Sequence, residues 1–254
     1  MTFGLSLALA LATLIGVALG LLGSGGSIVT LPVLVYVAGI PAAHAVGMSL
    51  VIVGGTSAVG SLLHSRQGGF DARPAVFFAV SGVFGAFVGA RFTHRVRPEV
   101  LLLLFGVLML AIGAVMLRRN DSSLTPRSCR PLRCLAAGLA VGALTGFLGV
   151  GGGMFIVPAL VLFAGLDMKK AIGTSLAVIA LNCFGGLLGQ VRYVDFDWPL
   201  TLAFLGVALG GMVAGTALAR RLSGPALRRA FAWAVVGIGL ALVARNLMAL
   251  LRSS

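Results

Sequence analysis

The sequence predicts an all-α, polytopic membrane protein made of two inverted repeats of about five transmembrane segments each, with helices broken at glycines. The composition, the apolar segments and an internal duplication predict this fold. Of 254 residues, 59% are hydrophobic and 10% are charged. Soluble domains carry about 25% charged residues. A chain this apolar lacks the polar groups to cover its surface in water, so we expect the bilayer to be its solvent.

Apolar segments near the length of a bilayer crossing are typical of transmembrane helices. Ten such segments cover most of the chain: residues 2–22, 28–37, 42–63, 74–90, 101–117, 132–148, 154–164, 171–189, 200–218 and 226–243. They leave no room for a separate soluble domain. The first segment is long enough to span and has no basic region before it, so we expect no cleaved signal peptide.

The chain aligns with itself at an offset of 126 residues. Shared apolar composition produces chance matches of Leu or Ala, but rarely of Gly, Pro, Ser and Asp together. Such matches include Gly20 with Gly146, Gly26 with Gly152, Pro32 with Pro158, Gly47 with Gly173, Ser49 with Ser175, and Asp71 with Asp197. We therefore divide the chain into a first repeat, residues 1–126, and a second repeat, residues 127–254.

An odd number of crossings per repeat inverts the second copy. If the chain crosses the membrane ten times, most of its 19 Lys and Arg residues lie on one side. The positive-inside rule expects such an excess on the cytoplasmic side. If each short segment after a glycine loop is only re-entrant, four crossings per repeat remain and the basic residues divide almost evenly. The rule favours five crossings, although Arg91, Arg95 and Arg97 then lie on the other side.

The distribution of charged residues also limits which classes of function fit the chain. The net charge of +13 is concentrated at the ends of apolar segments, which argues against nucleic-acid binding. All six acidic residues fall at or near segment ends, and intramembrane carboxylates mark proton and cation pathways. A small anionic substrate therefore fits better than a cation. We expect no metal or cofactor, and we expect Cys129 and Cys134 to be reduced thiols in a cytoplasmic loop.

Two glycine loops, GLLGSGGS at residues 20–27 and GFLGVGGG at residues 146–153, interrupt apolar runs and precede a short segment with a proline. Interrupted segments at matching positions of two repeats indicate a transporter's binding site. Glycines let backbone N–H groups converge on an anion, so we predict that Gly25, Gly26, Gly151 and Gly152 line the site. The alternative is close helix packing, which we favour for the GxxxG pairs outside the loops, such as Gly16 with Gly20.

The stretch AVGMS at residues 45–49 repeats as AIGTS at residues 171–175. Ser49, Thr174 and Ser175 offer hydroxyl donors within apolar helices. Further along the same helices lie Thr56 and Asn182, and Asn182 shares a face with Ser175. We predict that these five side chains contact the substrate. Alternatively, the hydroxyls bond back to their own helix.

An intramembrane serine protease is excluded by the histidines. A nucleophilic serine needs a base within hydrogen-bond reach. All three histidines, His44, His64 and His94, lie in the first repeat, whereas both repeats carry the Gly and Ser motif. We therefore expect no enzymatic activity.

The sequence resembles the sulfite exporter TauE/SafE family of bacterial membrane permeases over nearly its whole length. GLLGSGGSIVTLPVLV from Gly20 and GFLGVGGGMFIVPALV from Gly146, each followed by AVGMS or AIGTS, carry the resemblance. It implies export of sulfite or a sulfur-containing organic anion bound between the repeats. It adds Ser27 and Gly153 to the predicted site. Because Gly153 stands where the first repeat has Ser27, the two half-sites are not equivalent.

We thus expect a permease of the bacterial inner membrane that exports a small anion by alternating access. Its partners would be the substrate and the lipid bilayer, without nucleic acid. An anion channel or a non-transporting membrane scaffold remains the alternative.

Overall fold

The computed structural model describes residues 2–24, 26, 30, 33–93, 98–118, 131–148, 153–190 and 197–253. These residues form helices and contain no strand, as the all-α prediction requires. In chain order the helices are α1 (Thr2–Leu22), α2 (Val33–Val37, a π-helical turn), α3 (Ala42–Ser65), α4 (Ala72–Thr93), α5 (Pro98–Arg118), α6 (Pro131–Leu148), α7 (Gly153–Leu162), α8 (Met168–Gln190), α9 (Trp198–Arg221) and α10 (Gly224–Ser253). Helices α1 to α5 fall in the first predicted repeat and α6 to α10 in the second.

Aspartates mark the starts of three helices. The carboxylates of Asp71, Asp167 and Asp197 each accept a hydrogen bond from a backbone N–H two or three residues further on, at 3.1 to 3.3 Å. Asp197 is the N-cap of α9. The first N–H groups of a helix have no partner within the helix, and a carboxylate satisfies one of them and complements the helix dipole. The position of these acidic residues at segment ends is therefore explained by capping.

Helices α2 and α7 are short. Helix α7 has 10 residues, including Pro158. It is about 15 Å long, which is about half of the hydrocarbon thickness of a bilayer. Both short helices end in the same turn, with Gly39 at φ 70° and Gly165 at φ 69°. In each turn the next residue donates its N–H to a carbonyl six residues earlier, at 3.0 and 3.2 Å.

The main helix contacts join one half of the chain to the other. Helix α1 packs on α9, α4 on α6, α5 on α10 and α3 on α8. Helix α3 also contacts α9, α8 also contacts α4, and the short helices α2 and α7 lie against α1 and α6 respectively. We call α1, α2, α3 and α9 the first helix group, and α4, α6, α7 and α8 the second helix group. The contact between α3 and α8, here called the seam, joins the two groups.

Glycines allow the backbones of paired helices to touch. A Cβ atom on Gly16 of α1 would collide with the carbonyl oxygen of Ala208 in α9. In the second helix group, a Cβ atom on Gly142 of α6 would collide with the carbonyl oxygen of Gly82 in α4. Small residues permit this close approach inside a bilayer, where apolar burial gives little drive for helix association. Both pairs are related by the 126-residue offset.

The outer surface of the bundle is apolar. Phe84 on α4 is 71% exposed and Trp233 on α10 is 64% exposed. Among the residues with described side chains, two stretches, Gly47–Ser65 and Trp198–Arg221, are long and apolar enough to cross a membrane. Large exposed apolar patches mark contact with a membrane or another protein.

One cysteine differs from expectation. Cys134, in the first turn of α6, is buried and disulfide-bonded rather than a reduced loop thiol. Cys183 in α8 is a free, buried thiol, and Cys129 lies outside the described residues. We expected a reduced thiol because thiols stay reduced in the cytoplasm. A disulfide also depends on whether the fold brings two sulfur atoms within about 2 Å of each other.

The close helix contact is tested by two adjacent glycines in α9. A Cβ atom on Gly211 would collide with the carbonyl oxygen of Thr13, whereas one on Gly210 would meet no atom within 4 Å. We expect Gly211→Ala to lower the free energy of unfolding by about 1–3 kcal/mol through overpacking. Gly210→Ala should be neutral or stabilise by up to about 1 kcal/mol, because alanine favours a helix. The two variants are compared by thermal unfolding in detergent, monitored by circular dichroism. Equal unfolding midpoints would contradict the close packing of α1 on α9.

Candidate functional site

The structure describes part of the predicted site. Gly25, Ser27, Gly151 and Gly152 lie outside the described residues. The others are Gly26, Ser49, Thr56, Gly153, Thr174, Ser175 and Asn182. Gly26 follows α1, Gly153 begins α7, and Thr174 and Ser175 lie near the start of α8. Ser49, Thr56 and Asn182 lie in the two helices of the seam.

Ser175 joins the two halves of the chain at the first glycine loop. Its buried hydroxyl lies 3.2 Å from the carbonyl oxygen of Gly23 and 2.8 Å from that of Ile172 in its own helix, and its single proton is shared between these two acceptors. Gly23 ends α1 with φ +77°, a conformation that L side chains rarely adopt. A Cβ atom on Gly23 would lie 2.9 Å from both Ile172 Cα and Ser175 Oγ. The AIGTS motif of the second repeat therefore contacts the glycine loop of the first.

The neighbouring Thr174 holds a different element. Its buried hydroxyl oxygen accepts a hydrogen bond from the backbone N–H of Asp71 at 3.1 Å, which ties α8 to the start of α4. One residue earlier, the Gly173 carbonyl oxygen accepts a hydrogen bond from the Ser61 hydroxyl at 3.3 Å. The first turns of α8 are thus fixed to α3, to α4 and to the end of α1.

The loop glycines Gly26 and Gly153 have different positions. Gly26 folds back on α1, where an added Cβ atom would lie 2.7 Å from Leu19 Cγ and would also collide with the Ile15 carbonyl oxygen. Its own carbonyl oxygen accepts a hydrogen bond from the Thr30 hydroxyl at 2.9 Å. Gly153 is the first residue of α7. The surroundings of Gly26 fit close packing better than contact with a ligand.

The polar residues in the middle of the seam are only partly satisfied. Thr56 donates its hydroxyl to the Ile52 carbonyl oxygen at 2.6 Å, as in the back-bonded alternative. The side-chain oxygens Asn182 Oδ1 and Ser57 Oγ are buried and have no hydrogen-bond partner among the residues that the structure describes. Because buried polar atoms are nearly always paired, each such atom indicates a place for a ligand or a water molecule. Sequence analysis had not singled out Ser57, whose only signal was its place beside Thr56.

The stretches of α3 and α8 that carry these residues lie side by side. A Cβ atom on Gly54 would be 2.9 Å from Cys183 Cβ. Cys183 follows Asn182, and Gly54 lies two residues before Thr56. Ser49 lies further towards the start of α3 and is half-buried.

A cavity of about 460 Å³ opens at one end of the seam. Its described lining residues are His64, Gln67, Gly69, Lys169, Ile172, Ala219, Arg220 and Leu227, none of them acidic. His64 Nε2 also lies 3.2 Å from the Gly20 carbonyl oxygen, within hydrogen-bond distance. Sequence analysis treated Lys169 and Arg220 only as charges at segment ends. The available signal was that both lie on one predicted side of the membrane.

This arrangement suits reversible binding better than covalent chemistry. The hydroxyl of Ser175 faces carbonyl oxygens, which cannot take its proton as a general base would. Neutral polar side chains and an opening that includes Lys169 and Arg220 are groups that can bind a polar ligand without reacting with it.

Comparisons with known proteins agree on one family. The family model of the sulfite exporter TauE/SafE matches residues 8–242. A probable membrane transporter protein of Xylella fastidiosa (strain 9a5c) is 36% identical over 247 residues, which cover 92% of each chain. The probable membrane transporter protein YdhB of Bacillus subtilis (strain 168) is 27% identical over 212 residues, 80% of this chain and 85% of the relative. No solved structure matches. This chain therefore belongs to the sulfite exporter TauE/SafE family of membrane transporters.

Proposed function

We propose that the chain exports a small anion, sulfite or a sulfur-containing organic anion, across the bacterial inner membrane by alternating access. The observation that carries this proposal is the hydrogen bond between Ser175 and Gly23. It brings together two motifs from different halves of the chain, beneath a cavity lined by cations. Transporters built from inverted repeats bind substrate at such an interface, where broken helices meet. The choice of a sulfur anion follows the family name.

A multi-pass, inverted-repeat topology is supported by the pairing of helices. Exchanging α1–α5 with α6–α10 converts the contact of α1 with α9 into that of α6 with α4. The contact of Gly16 with Ala208 likewise becomes that of Gly142 with Gly82. Two copies related by a two-fold axis in the membrane plane produce such matched contacts. The exposed apolar side chains would then face lipid.

The same contacts suggest which parts move. Each sequence repeat contributes helices to both helix groups, so the repeats cannot rock as separate bodies without breaking the tight contacts of α1 with α9 and of α4 with α6. We therefore assign the movement to the two helix groups, which meet along the seam. Opening the seam at either end in turn would expose the site to either side. Hinge movements of this kind between packed bodies are a common form of domain motion.

The electrical gradient favours this direction. A membrane potential that is negative inside drives an anion outward by about 2.3 kcal/mol per charge per 100 mV. Export therefore needs no coupling ion. The carboxylates of the three described helix-capping aspartates bond to backbone N–H groups, which holds their charges at helix ends.

The proposal is tested by the flux of radiolabelled sulfite, sulfate and a sulfonate in proteoliposomes. We expect saturable flux of at least one sulfur anion in the wild-type protein. Ser175→Ala should reduce it at least about tenfold, since one hydrogen bond to a charged group contributes about 1.5–3 kcal/mol. Ser81→Ala is the matched control, because Ser81 is also buried and also donates to its own helix, at Phe77, but lies in α4 away from the seam.

Flux that does not saturate would favour an anion channel instead. If the folded wild-type protein moves none of the three anions, the substrate class is wrong. Equal flux in Ser175→Ala and Ser81→Ala would remove Ser175 from the site.

The contact of Gly23 with Ser175 is tested by comparing Gly23→Ala with Gly39→Ala. Both glycines have positive φ, near +70° to +77°, but only Gly23 has neighbours that a methyl group would strike. The left-handed conformation costs a non-glycine residue about 1–2 kcal/mol, and both variants should lose that much stability. Gly23→Ala should in addition displace Ser175 and lower the maximum flux severalfold. Flux assays on protein samples of matched fold content compare the two, and equal flux would show that the contact has no part in transport.

Asn182 gives an independent test in the middle of the seam. Asn182→Leu removes a buried oxygen that has no partner among the described residues, so thermal stability in detergent should be unchanged or higher. If the amide contacts substrate, the flux of sulfur anions should fall at least about tenfold in the same variant. A stable Asn182→Leu protein with wild-type flux would exclude Asn182 from the path.

A further inference from the structure

We infer that the cavity lined by Lys169 and Arg220 is a separate loading site, which holds a small oxyanion from solution before it reaches the contact of Ser175 with Gly23. This inference rests on the proposed anion transport. The cavity volume of about 460 Å³ falls within the range of small-molecule sites, about 300–1,000 Å³. An oxyanion of the size of sulfite fits there with part of its hydration shell.

The cations of the cavity come from both helix groups. Lys169 lies in the first turn of α8, in the second group, and Arg220 lies in the last turn of α9, in the first group. Gln67 adds a neutral polar side chain at the end of α3. An anion held between Lys169 and Arg220 would therefore bridge the two bodies that are proposed to move. Cations at a concave opening raise the local concentration of anions.

The floor of the cavity is continuous with the central contact. Ile172 lines the cavity and also touches Gly23, and Ser175 lies one helical turn further along α8. His64 lines the cavity and reaches the Gly20 carbonyl oxygen near the end of α1. An anion in the cavity is thus separated from the predicted binding site only by the residues that close the seam.

The first repeat does not carry this pair of cations at the corresponding positions. At the 126-residue offset, Lys169 corresponds to Ala43 and Arg220 corresponds to His94. The two ends of a two-fold structure would otherwise be alike. In the predicted topology the end with Lys169 and Arg220 faces the cytoplasm, which is the side from which an exporter must collect its substrate.

The test uses two double variants that remove the same charge. Lys169→Gln with Arg220→Gln changes the cavity, whereas Lys170→Gln with Arg221→Gln changes the adjacent exposed residues outside its described lining. We expect the cavity variant to raise the KM for radiolabelled sulfite or sulfate roughly tenfold, with the maximum rate within about twofold, and to weaken the dependence of KM on ionic strength. The control variant should behave as the wild type. Lys169→Arg with Arg220→Lys should retain the wild-type KM.

A second readout separates this inference from the proposed function. The unfolding midpoint of the purified protein is measured with sulfite and with sulfate, because a ligand that binds the folded state raises it. A rise that the cavity variant loses and the control variant keeps supports the loading site even if no flux is found. Equal KM values and equal midpoints in the two double variants would overturn it while leaving transport itself intact.

The lipid composition identifies the occupant. The same KM comparison is made in vesicles of zwitterionic lipid alone and in vesicles with added anionic lipid. A difference between the double variants in zwitterionic lipid supports a free oxyanion. A difference that appears only with anionic lipid would mean that a lipid headgroup occupies the cavity, and the loading site would be rejected.

Discussion

The structure depends on the direct approach of helix backbones from opposite halves of the chain. Gly16 and Gly211 bring α1 and α9 together, and Gly85 and Gly142 bring α4 and α6 together. A bilayer gives apolar side chains little reason to leave lipid for each other, so the closeness that glycine permits must supply the contact energy. Since each tight pair takes one helix from each half, the halves interlock. The cavity and the meeting of Ser175 with Gly23 are consequences of that interlocking.

The seam between α3 and α8 differs in kind from these tight pairs. Its polar residues Thr56, Ser57 and Asn182 lie within apolar helices, and two of their side-chain oxygens have no hydrogen-bond partner among the described residues. A buried polar atom without a partner destabilises the packing around it. The seam is also extensive and contains close glycine contacts, such as that of Gly54 with Cys183. Its unsatisfied polar atoms are the feature that suits it to the movement proposed above.

Much of the fold could be predicted from local patterns. The length of each apolar segment and the repeated Gly, Pro and Asp positions can be read directly from the sequence. Each predicted segment overlaps a helix, and Ser175 was selected from its motif alone. Where side chains meet across the fold could not be predicted. Gly26 turned out to pack on Ile15 and Leu19, and Thr56 to bond back to its helix. The cavity was not predicted because its described lining residues come from four separate parts of the chain. No local sequence pattern indicates that these parts meet in the fold.

The separation of charge from the binding contact has a physical reason. A full positive charge deep in a low-dielectric interior would hold an anion strongly, since the attraction grows as the dielectric constant falls. Passage requires binding that is strong enough to admit the ion and weak enough to release it. Neutral side chains such as Ser175 and Asn182 fit the second requirement, because they carry no full charge that would retain the anion. Lys169 and Arg220 are exposed at the cavity and fit the first requirement, that the ion be admitted. Their field gathers anions at the opening, while the solvent around them weakens their attraction for any one anion. In the proposed mechanism, the division between a charged opening and a neutral interior would let one pathway both collect an anion and release it.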